Sequence, residues 1–583
     1  MFSPVLVHEF LSCTAERLPH KPALICGEER WTYRALERAS DRAASLFRST
    51  GLKRGGRVVI FLDNCAETVI SLYGALKAGG VFVIIDGSTK AKKLGAILSD
   101  ADASVLVTRT DKSAVVTAAL GCEEQRCSSV WTGEPSAIPE MCRARAVSWQ
   151  TVVPDPLHPE EDTPFPARQH AATGCIDRDL AALIYTSGSS GDPKGVMVSH
   201  LNMVSAARSV IRYIGNRQDD IIMNVLPLSF GYGLYQVLMS AMFGGTVVLE
   251  RSFLYPVTIL ERIERERVTG FPLVPTIAAL LIKLSNFGRY DLGSLRYVTN
   301  AAAALPVEHI RKLRSLLPGA RLFSMYGLTE CKRVSYLAPE ELDRRPASVG
   351  KPIPNSEVMV LNEAGQECAA GEVGELVVRG SHVACGYWNA PDLTARTFRP
   401  SGPSGERLLY SGDLFTRDEE GFLYYMGRKG EMIKTKGERV SPCEVENVLH
   451  EMPGVIEAAV IGLRDELLGQ AVTACLVCNS MLEERAIMRF CAERLQPFMV
   501  PRHVLFLGSM PRSLNGKIDK KKLALIVESR IWPGGGMAPA GKRTAGTCAQ
   551  PAITSETVLP DRPLLICSEA PASPGNAGHQ EEV

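Results

Sequence analysis

Two long stretches of this chain alternate short apolar runs with amphipathic segments, and that alternation limits its fold more than any other feature. Val5–Arg17 has the apolar spacing of a helix, and Arg57–Leu62 (Arg-Val-Val-Ile-Phe-Leu, after Gly56) is a buried-strand run. Ala66–Leu76 is helical again, and Gly80–Ile85 is a second strand. Parallel strands cannot be joined by a tight hairpin and need a long crossover, usually a helix. The order therefore predicts a parallel-rich sheet with helices on its faces. The pattern lapses from about Gly121 to Asp179, where Pro135, Pro139, Pro154, Pro156, Pro159, Pro164 and Pro166 punctuate the chain. That segment reads as an irregular connection. Alternation resumes at Leu180 and runs to about Arg428, and Ser441–Leu523 has the patterns of a small α+β unit. Beyond Leu523 the composition shifts to Trp532-Pro-Gly-Gly-Gly536 and scattered prolines, which reads as a disordered tail.

Charge and cysteine usage exclude several classes. The 583 residues carry 65 Lys+Arg against 64 Asp+Glu, a formal charge of +1. No bulk positive field is available for nucleic acid, so no nucleic-acid partner is expected. The 16 cysteines are scattered, and the one Cys-x-x-Cys, Cys475 and Cys478, lies in a strand-like run with no second pair at zinc spacing. Buried core thiols are expected. No apolar run reaches the ~18 residues of a membrane span. Met1–Leu18 contains Glu9, Glu16 and Arg17, which is wrong for a secretory leader, so a reducing, cytoplasmic setting is expected.

One local motif points to chemistry. The apolar run Ala181–Tyr185 leads into Thr186-Ser-Gly-Ser-Ser-Gly-Asp-Pro-Lys-Gly195. Gly188, Gly191 and Gly195 let a backbone approach a ligand closely. Thr186, Ser187, Ser189 and Ser190 offer hydroxyl donors, and Lys194 supplies a point charge. Such a loop suits a polyphosphate. Pro193 precedes Lys194 and Gly195 follows it, so this is not the Walker A loop and its mechanics do not transfer.

The loop resembles the Ser/Thr-Gly-Ser/Thr-x-Gly-x-Pro-Lys-Gly signature of adenylate-forming enzymes: acyl-CoA synthetases, peptide-synthetase adenylation domains and beetle luciferases. Further motifs follow in the family's order over about 340 residues. Tyr326-Gly-Leu-Thr-Glu330 resembles Tyr-Gly-x-Thr-Glu. The resemblance implies that Tyr326 stacks on adenine, Thr329 bonds the α-phosphate and Glu330 ligates Mg²⁺. Tyr410-Ser-Gly-Asp-Leu414 resembles Thr-Gly-Asp-Leu, which gives Asp413 the ribose hydroxyls. Gly427-Arg428 resembles the Gly-Arg that closes the large domain, with Arg428 and Tyr425 beside the nucleotide. Met510-Pro-Arg-Ser-Leu-Asn-Gly-Lys517 resembles the C-terminal Pro-Arg-x-x-x-Gly-Lys, whose lysine, here Lys517, bridges the substrate carboxylate and the α-phosphate. Gly371–Gly380 and Gly386-Tyr387 also fit.

The resemblance implies an α/β fold. A large N-terminal domain of parallel-rich sheets flanked by helices, with a distorted β-barrel subdomain, spans 1–427. A hinge follows at 428–430, then a small mobile α+β domain over 431–523 and a tail over 524–583. It implies ATP-dependent activation of a carboxylic acid to an acyl-adenylate with loss of pyrophosphate, then transfer to the thiol of CoA with loss of AMP. ATP, Mg²⁺ and CoA are thus implied. A stand-alone ligase that loads the phosphopantetheine of an acyl carrier protein would use the same thiol chemistry. A weakly catalytic scaffold acting through the tail is the third alternative, and the intact Lys194, Thr329, Glu330, Asp413, Arg428 and Lys517 argue against it.

Several positions depart from the family. The hinge residue, usually Asp or Lys, is Gly430 after Lys429. Ile433–Pro442 resembles the loop lining the pantetheine tunnel, with Lys436 and Gly437 nearest the thiol arm. In the acid-pocket segment Leu226–Leu234, Gly231 follows Phe230 where amino-acid-activating domains carry Asp, which disfavours a standard α-amino acid. Ser229-Phe230 replaces the luciferase His pair. Phe230, Gly231, Tyr232, Val274, Pro275, Ala301, Ala302 and Met325 suggest an apolar pocket, Ala301-Ala302 standing for a frequent Gly-Gly. Cys331-Lys332-Arg333 is unusual in its charge. A solvated pair is the plainer reading of Lys332 and Arg333, and a polar or acidic acyl tail follows if either faces the pocket. Leu226–Leu234, Tyr326–Leu337 and Arg428–Pro442 are most similar to bacterial acyl-CoA ligases of polysaccharide and exosortase-type gene clusters.

Overall fold

The computed structural model describes residues 4–121, 127–143, 145–149, 174–187, 193–303, 305–401, 406–465, 467–512 and 517–531. The loop residues Gly188, Ser189, Ser190 and Gly191, the stretch 150–173 and the tail from 532 onward lie outside the described residues.

The expected strands and helices form where their side chains can be buried. Arg57–Leu62 is a strand, Ala66–Lys77 a helix and Val81–Asp86 a strand. Five consecutive residues of Arg57–Leu62 are buried, because helices cover both faces of the sheet and erase the period-2 alternation. This eight-stranded sheet runs, edge to edge, Gly386–Tyr387, Pro193–Ser199, Leu180–Ser187, Val81–Asp86, Arg57–Leu62, Ala103–Arg109, Ser128–Thr132 and Ala146–Ser148. From Leu180–Ser187 onward every pairing is parallel. The last two strands correct the reading of Gly121–Asp179 as purely irregular. Ser128–Thr132 is only five residues long and Trp131 within it is fully buried, so neither length nor periodicity marked it.

A nine-stranded sheet is built from Lys351–Pro352, Ser335–Leu337, Arg321–Tyr326, Tyr297–Asn300, Gly270–Leu273, Ile221–Asn224, Thr246–Leu249, Pro22–Cys26 and Glu29–Thr32. Its middle six strands pair in parallel, and antiparallel strands close both edges. The expected barrel subdomain takes the form of a five-stranded antiparallel sheet. Its long strand Glu406–Arg417 pairs with Gly374–Gly380 on one side and with Phe398–Ser401 and Leu423–Arg428 on the other.

The C-terminal part packs a fourth sheet around Val455–Asp465 and Gly469–Cys478 against helices Pro442–Glu451, Glu484–Ala492 and Lys520–Ile531. Cys475 is fully buried in it, and burial pushes its thiol up to about 12. Among the described residues no cluster of three or more His, Cys, Asp or Glu could hold a metal, and no helix is long and apolar enough to cross a membrane. Helix Lys520–Ile531 runs past Leu523, where the tail was expected to begin. Leu523 and Val527, one helical turn apart, are both fully buried, which carries order at least to the end of that helix.

Helix Val307–Leu316 meets helix Pro442–Glu451 through His309 and His450, whose rings lie edge to face at 5.6 Å. Burial, then Lys312, lowers His309 to about 4; burial, then His309, lowers His450 to about 3. Docked rings therefore refuse protons that free rings bind near the ordinary value of about 6.5. Their contribution is complete above about pH 6.5 and is lost as pH falls toward about 4. We predict that the thermal midpoint of the wild type falls more steeply between about pH 7.5 and 5 than that of His450→Phe. Parallel curves would show that the pair does not control this contact.

Candidate active site

The site forms where a turn of the nine-stranded sheet meets a strand of the antiparallel sheet. Arg321–Tyr326 folds back through Gly327–Val334 to pair with Ser335–Leu337, Tyr326 opposite Ser335. A Cβ on Gly327 would lie 2.4 Å from the Lys332 carbonyl oxygen, so the turn closes this tightly only with glycine. Cys331 N donates to Leu328 O and Val334 N to Tyr326 O. Thr329 and Glu330 sit in the turn.

Tyr326 donates its hydroxyl to Asp413 Oδ2 at 2.5 Å, and Arg428 Nε lies 3.0 Å from Asp413 Oδ1. Asp413 and Arg428 face each other across adjacent strands. Burial raises the Asp413 carboxyl above its ordinary range, against the pull of Arg428, Tyr326 and Lys517. Asp413 is only 3% exposed, so such partners are needed to hold its charge. Phe415 and Tyr425 pack around Tyr326, with ring centroids at 4.8 and 6.1 Å.

Glu330 Oε1 accepts a hydrogen bond of 2.7 Å from the Tyr387 hydroxyl. Tyr387 lies opposite Val196 in the strand that carries Lys194. Across the phosphate hairpin, Lys194 faces Thr186 and Pro193 faces Ser187. The sheet thus ties the rim of the phosphate loop to Glu330. Lys517 lies within electrostatic reach of this cluster. Burial of its ammonium and the Arg428 guanidinium lower its pKa, while Asp413, Glu330 and Glu431 pull it up. Lys517 therefore belongs electrostatically to the same cluster, although it comes from the C-terminal part.

Thr329 and Lys517 line a cavity together with Phe230, Gly231, Tyr232, Ala301 and Ala302, and with Tyr235, Lys332, Arg333 and His382. Met325, Val274 and Pro275 are not among the residues that line it. Met325 is buried, and its Sδ accepts from the Tyr213 hydroxyl. Tyr232 is anchored by its hydroxyl to the Thr299 carbonyl at 2.9 Å. Ala302 adopts φ +79°, a left-handed conformation that explains why glycine is frequent there in the resembling family.

Lys429 Nζ lies 3.4 Å from Glu375 Oε2, and a Cβ on Gly430 would meet nothing within 4 Å. Lys436 (φ +51°) and Gly437 (φ +84°) form a two-residue hairpin turn between Ile433–Thr435 and Glu438–Val440. Several residues of the site were not singled out from the sequence, Tyr235 and Phe415 among them. Tyr387 lay inside a noted phrase, but its contact with Glu330 depends on sheet pairing. Glu375, a partner of Lys429, also lay inside a noted phrase, whereas His382, buried and lowered to about 4, gave no local signal.

Two α/β sheets, an antiparallel sheet and a small C-terminal α+β unit are the fold of an adenylate-forming ligase. The chain belongs to the AMP-binding enzyme family, whose description matches residues 11–388, while the AMP-binding enzyme C-terminal domain matches residues 444–517. Its reaction class is that of an AMP-forming acid–thiol ligase. It is 29% identical to the long-chain-fatty-acid–CoA ligase of Bacillus subtilis (strain 168), over 89% of this chain and 94% of that one. It is also 28% identical to bacitracin synthase 3 of Bacillus licheniformis, over 89% of this chain but 8% of that synthase. The structure of the anthranilate CoA ligase AuaEII with anthranoyl-AMP is similar with a TM-score of 0.79 and 26% identity, covering 90% of this chain and 98% of that one.

Left-handed backbone costs a residue with a Cβ about 1–2 kcal/mol. We predict that Ala302→Gly raises stability to denaturant by up to about 1 kcal/mol, the added freedom of the unfolded glycine offsetting part of the gain. A drop in the denaturation midpoint would show that the Ala302 methyl packs usefully enough to outweigh the strain.

Proposed function

We propose that this chain activates a non-amino carboxylic acid with ATP and passes the acyl group to the thiol of CoA. The observation that carries the reading is the convergence of Tyr326, Asp413, Arg428, Glu330 and Lys517 on one cleft. A carboxylate is a poor acyl donor, because its leaving group would be oxide. Attack of a carboxylate oxygen on the α-phosphorus of ATP forms the acyl–phosphate bond, breaks the bond to the β-phosphate and releases pyrophosphate. The thiol then attacks the acyl carbonyl, the thioester forms and AMP leaves.

The protein's part is positioning and charge stabilisation. Asp413 is the acceptor for the ribose hydroxyls, and its contact with Arg428 fixes its orientation. Tyr326 and Tyr425 form the adenine wall. Thr186, Ser187 and Lys194, with the loop residues Gly188, Ser189, Ser190 and Gly191, receive the β- and γ-phosphates. Thr329 and Lys517 meet the α-phosphate, where Lys517 balances the charge that builds up as pyrophosphate departs.

Glu330 fits Mg²⁺, which prefers oxygen ligands, keeps several waters and commonly takes one or two carboxylates plus substrate phosphates. When bound, the ion neutralises phosphate charge.

The domain division 1–427 and 431–523, with the hinge at Lys429-Gly430, belongs to this reading. The open space around Gly430 and the weak, exposed Lys429–Glu375 contact favour rotation there. Rotation would remove Lys517 and bring Lys436-Gly437 toward the thiol arm. Carrier-protein phosphopantetheine is the second acceptor considered, because the chain also matches an 8% segment of a large synthase.

The test is ATP–pyrophosphate exchange across fatty, aryl and dicarboxylic acids. Lys517→Ala is expected to lower exchange by about 10²–10³-fold, the usual cost of removing a placed transition-state donor. Exchange at the wild-type rate in that variant would remove Lys517 from the chemistry.

A further inference from the structure

The turn that carries Thr329 and Glu330 also brings two cations to the wall of the cavity that Thr329 lines. Arg333 is 3% exposed, and its Nε is buried without a hydrogen-bond partner. Its guanidinium carbon lies 5.2 Å from the Tyr232 ring centre. Lys332 Nζ donates to the Gly231 carbonyl oxygen and lies 4.2 Å from the Tyr235 ring and 5.5 Å from the Tyr232 ring. No Asp or Glu lines this cavity among the described residues, whereas Lys332, Arg333 and Lys517 all do.

That arrangement is costly for the protein alone. Aromatic faces give each cation some compensation. A guanidinium has five N–H donors and an ammonium three, and one carbonyl does not satisfy them. Burying charge without a counter-ion is strongly unfavourable. The backbone adds to the cost, because Lys332 sits at φ +62°. Burial, then Arg333, holds the Lys332 ammonium well below its usual range, and an anion beside it would reverse that shift. The plain reading of Lys332 and Arg333 as a solvated surface pair does not hold for the buried Arg333.

Resting on the adenylation reading, we infer that the acid this enzyme activates carries a second carboxylate, bound by Lys332 and Arg333 at the inner end of the pocket. The reacting carboxylate lies at the other end, by Thr329 and Lys517. The Tyr232 ring lies beside both cations and the Tyr235 ring beside Lys332, and Ala301 and Ala302 line the same cavity. The substrate class is a dicarboxylic acid, activated at one end only.

The test is pyrophosphate exchange by the full chain with glutarate, adipate, pimelate and suberate. Each is compared with its monomethyl ester and with the straight-chain monocarboxylate of equal carbon number. The best diacid is expected to exceed its ester in kcat/KM by about tenfold or more, as sites built for a polar group reject analogues lacking it. Lys332→Met is expected to lower that ratio by about tenfold, and Arg333→Met to lower it more than Arg333→Lys. The ratio is read within each variant, so a general loss of folded protein does not move it. Lys332, the less buried of the two, keeps the test available if Arg333→Met does not fold. A wild-type enzyme that uses ester or monocarboxylate as well as diacid overturns the inference while leaving adenylation intact. So does a ratio unchanged in Lys332→Met and Arg333→Lys. Absence of exchange with every acid overturns the adenylation reading, and the inference with it.

Discussion

The buried carboxylate of Asp413 is the interaction on which the site depends. One oxygen takes the Tyr326 hydroxyl and the other faces Arg428. Tyr326 ends a strand of the nine-stranded sheet, Asp413 lies in the long strand of the antiparallel sheet, and Arg428 ends the strand that leads into the C-terminal part. Three elements therefore meet at one charge. A carboxylate that is 3% exposed is stable only while such partners stay in place, so ligand-binding geometry and packing are enforced by the same group.

Much of this was legible in the sequence, for uneven physical reasons. Arg57–Leu62 and Ala66–Lys77 were readable because buried strands and helices leave long apolar patterns. The motif residues Tyr326, Asp413, Arg428 and Lys517 were readable only through resemblance. Nothing in the spacing of Asp413 shows that it faces Arg428 across a strand pair, and Lys517 alone is one of several nearby lysines. Ser128–Thr132 was missed because its partner strand, not its composition, makes it a strand. Leu523 and Val527 show why the tail boundary moved: two buried residues one turn apart hold a helix that a shift in composition cannot reveal.

Lys332 and Arg333 show the limit most clearly. From sequence, two adjacent cations after a turn motif are most simply solvated. The turn overrules that expectation, because Gly327 lets it fold onto the Lys332 carbonyl and the left-handed backbone at Lys332 turns the chain inward at Arg333. Arg333 then becomes a core residue over Tyr232. A near-zero net charge can hide this, since what counts is where a few cations lack counter-ions.

On the proposed reading the same turn carries two functions that are separable in principle. On that reading Thr329 and Glu330 serve the nucleotide chemistry and Lys332 and Arg333 the acyl end, with Cys331 buried between them. Gly327 and the pairing of Tyr326 with Ser335 hold the ends of the turn. Selectivity for the acid can then vary while the adenylating groups stay in register. An adenylating scaffold can diversify its substrates in this way by altering residues a few positions beyond a chemically fixed pair.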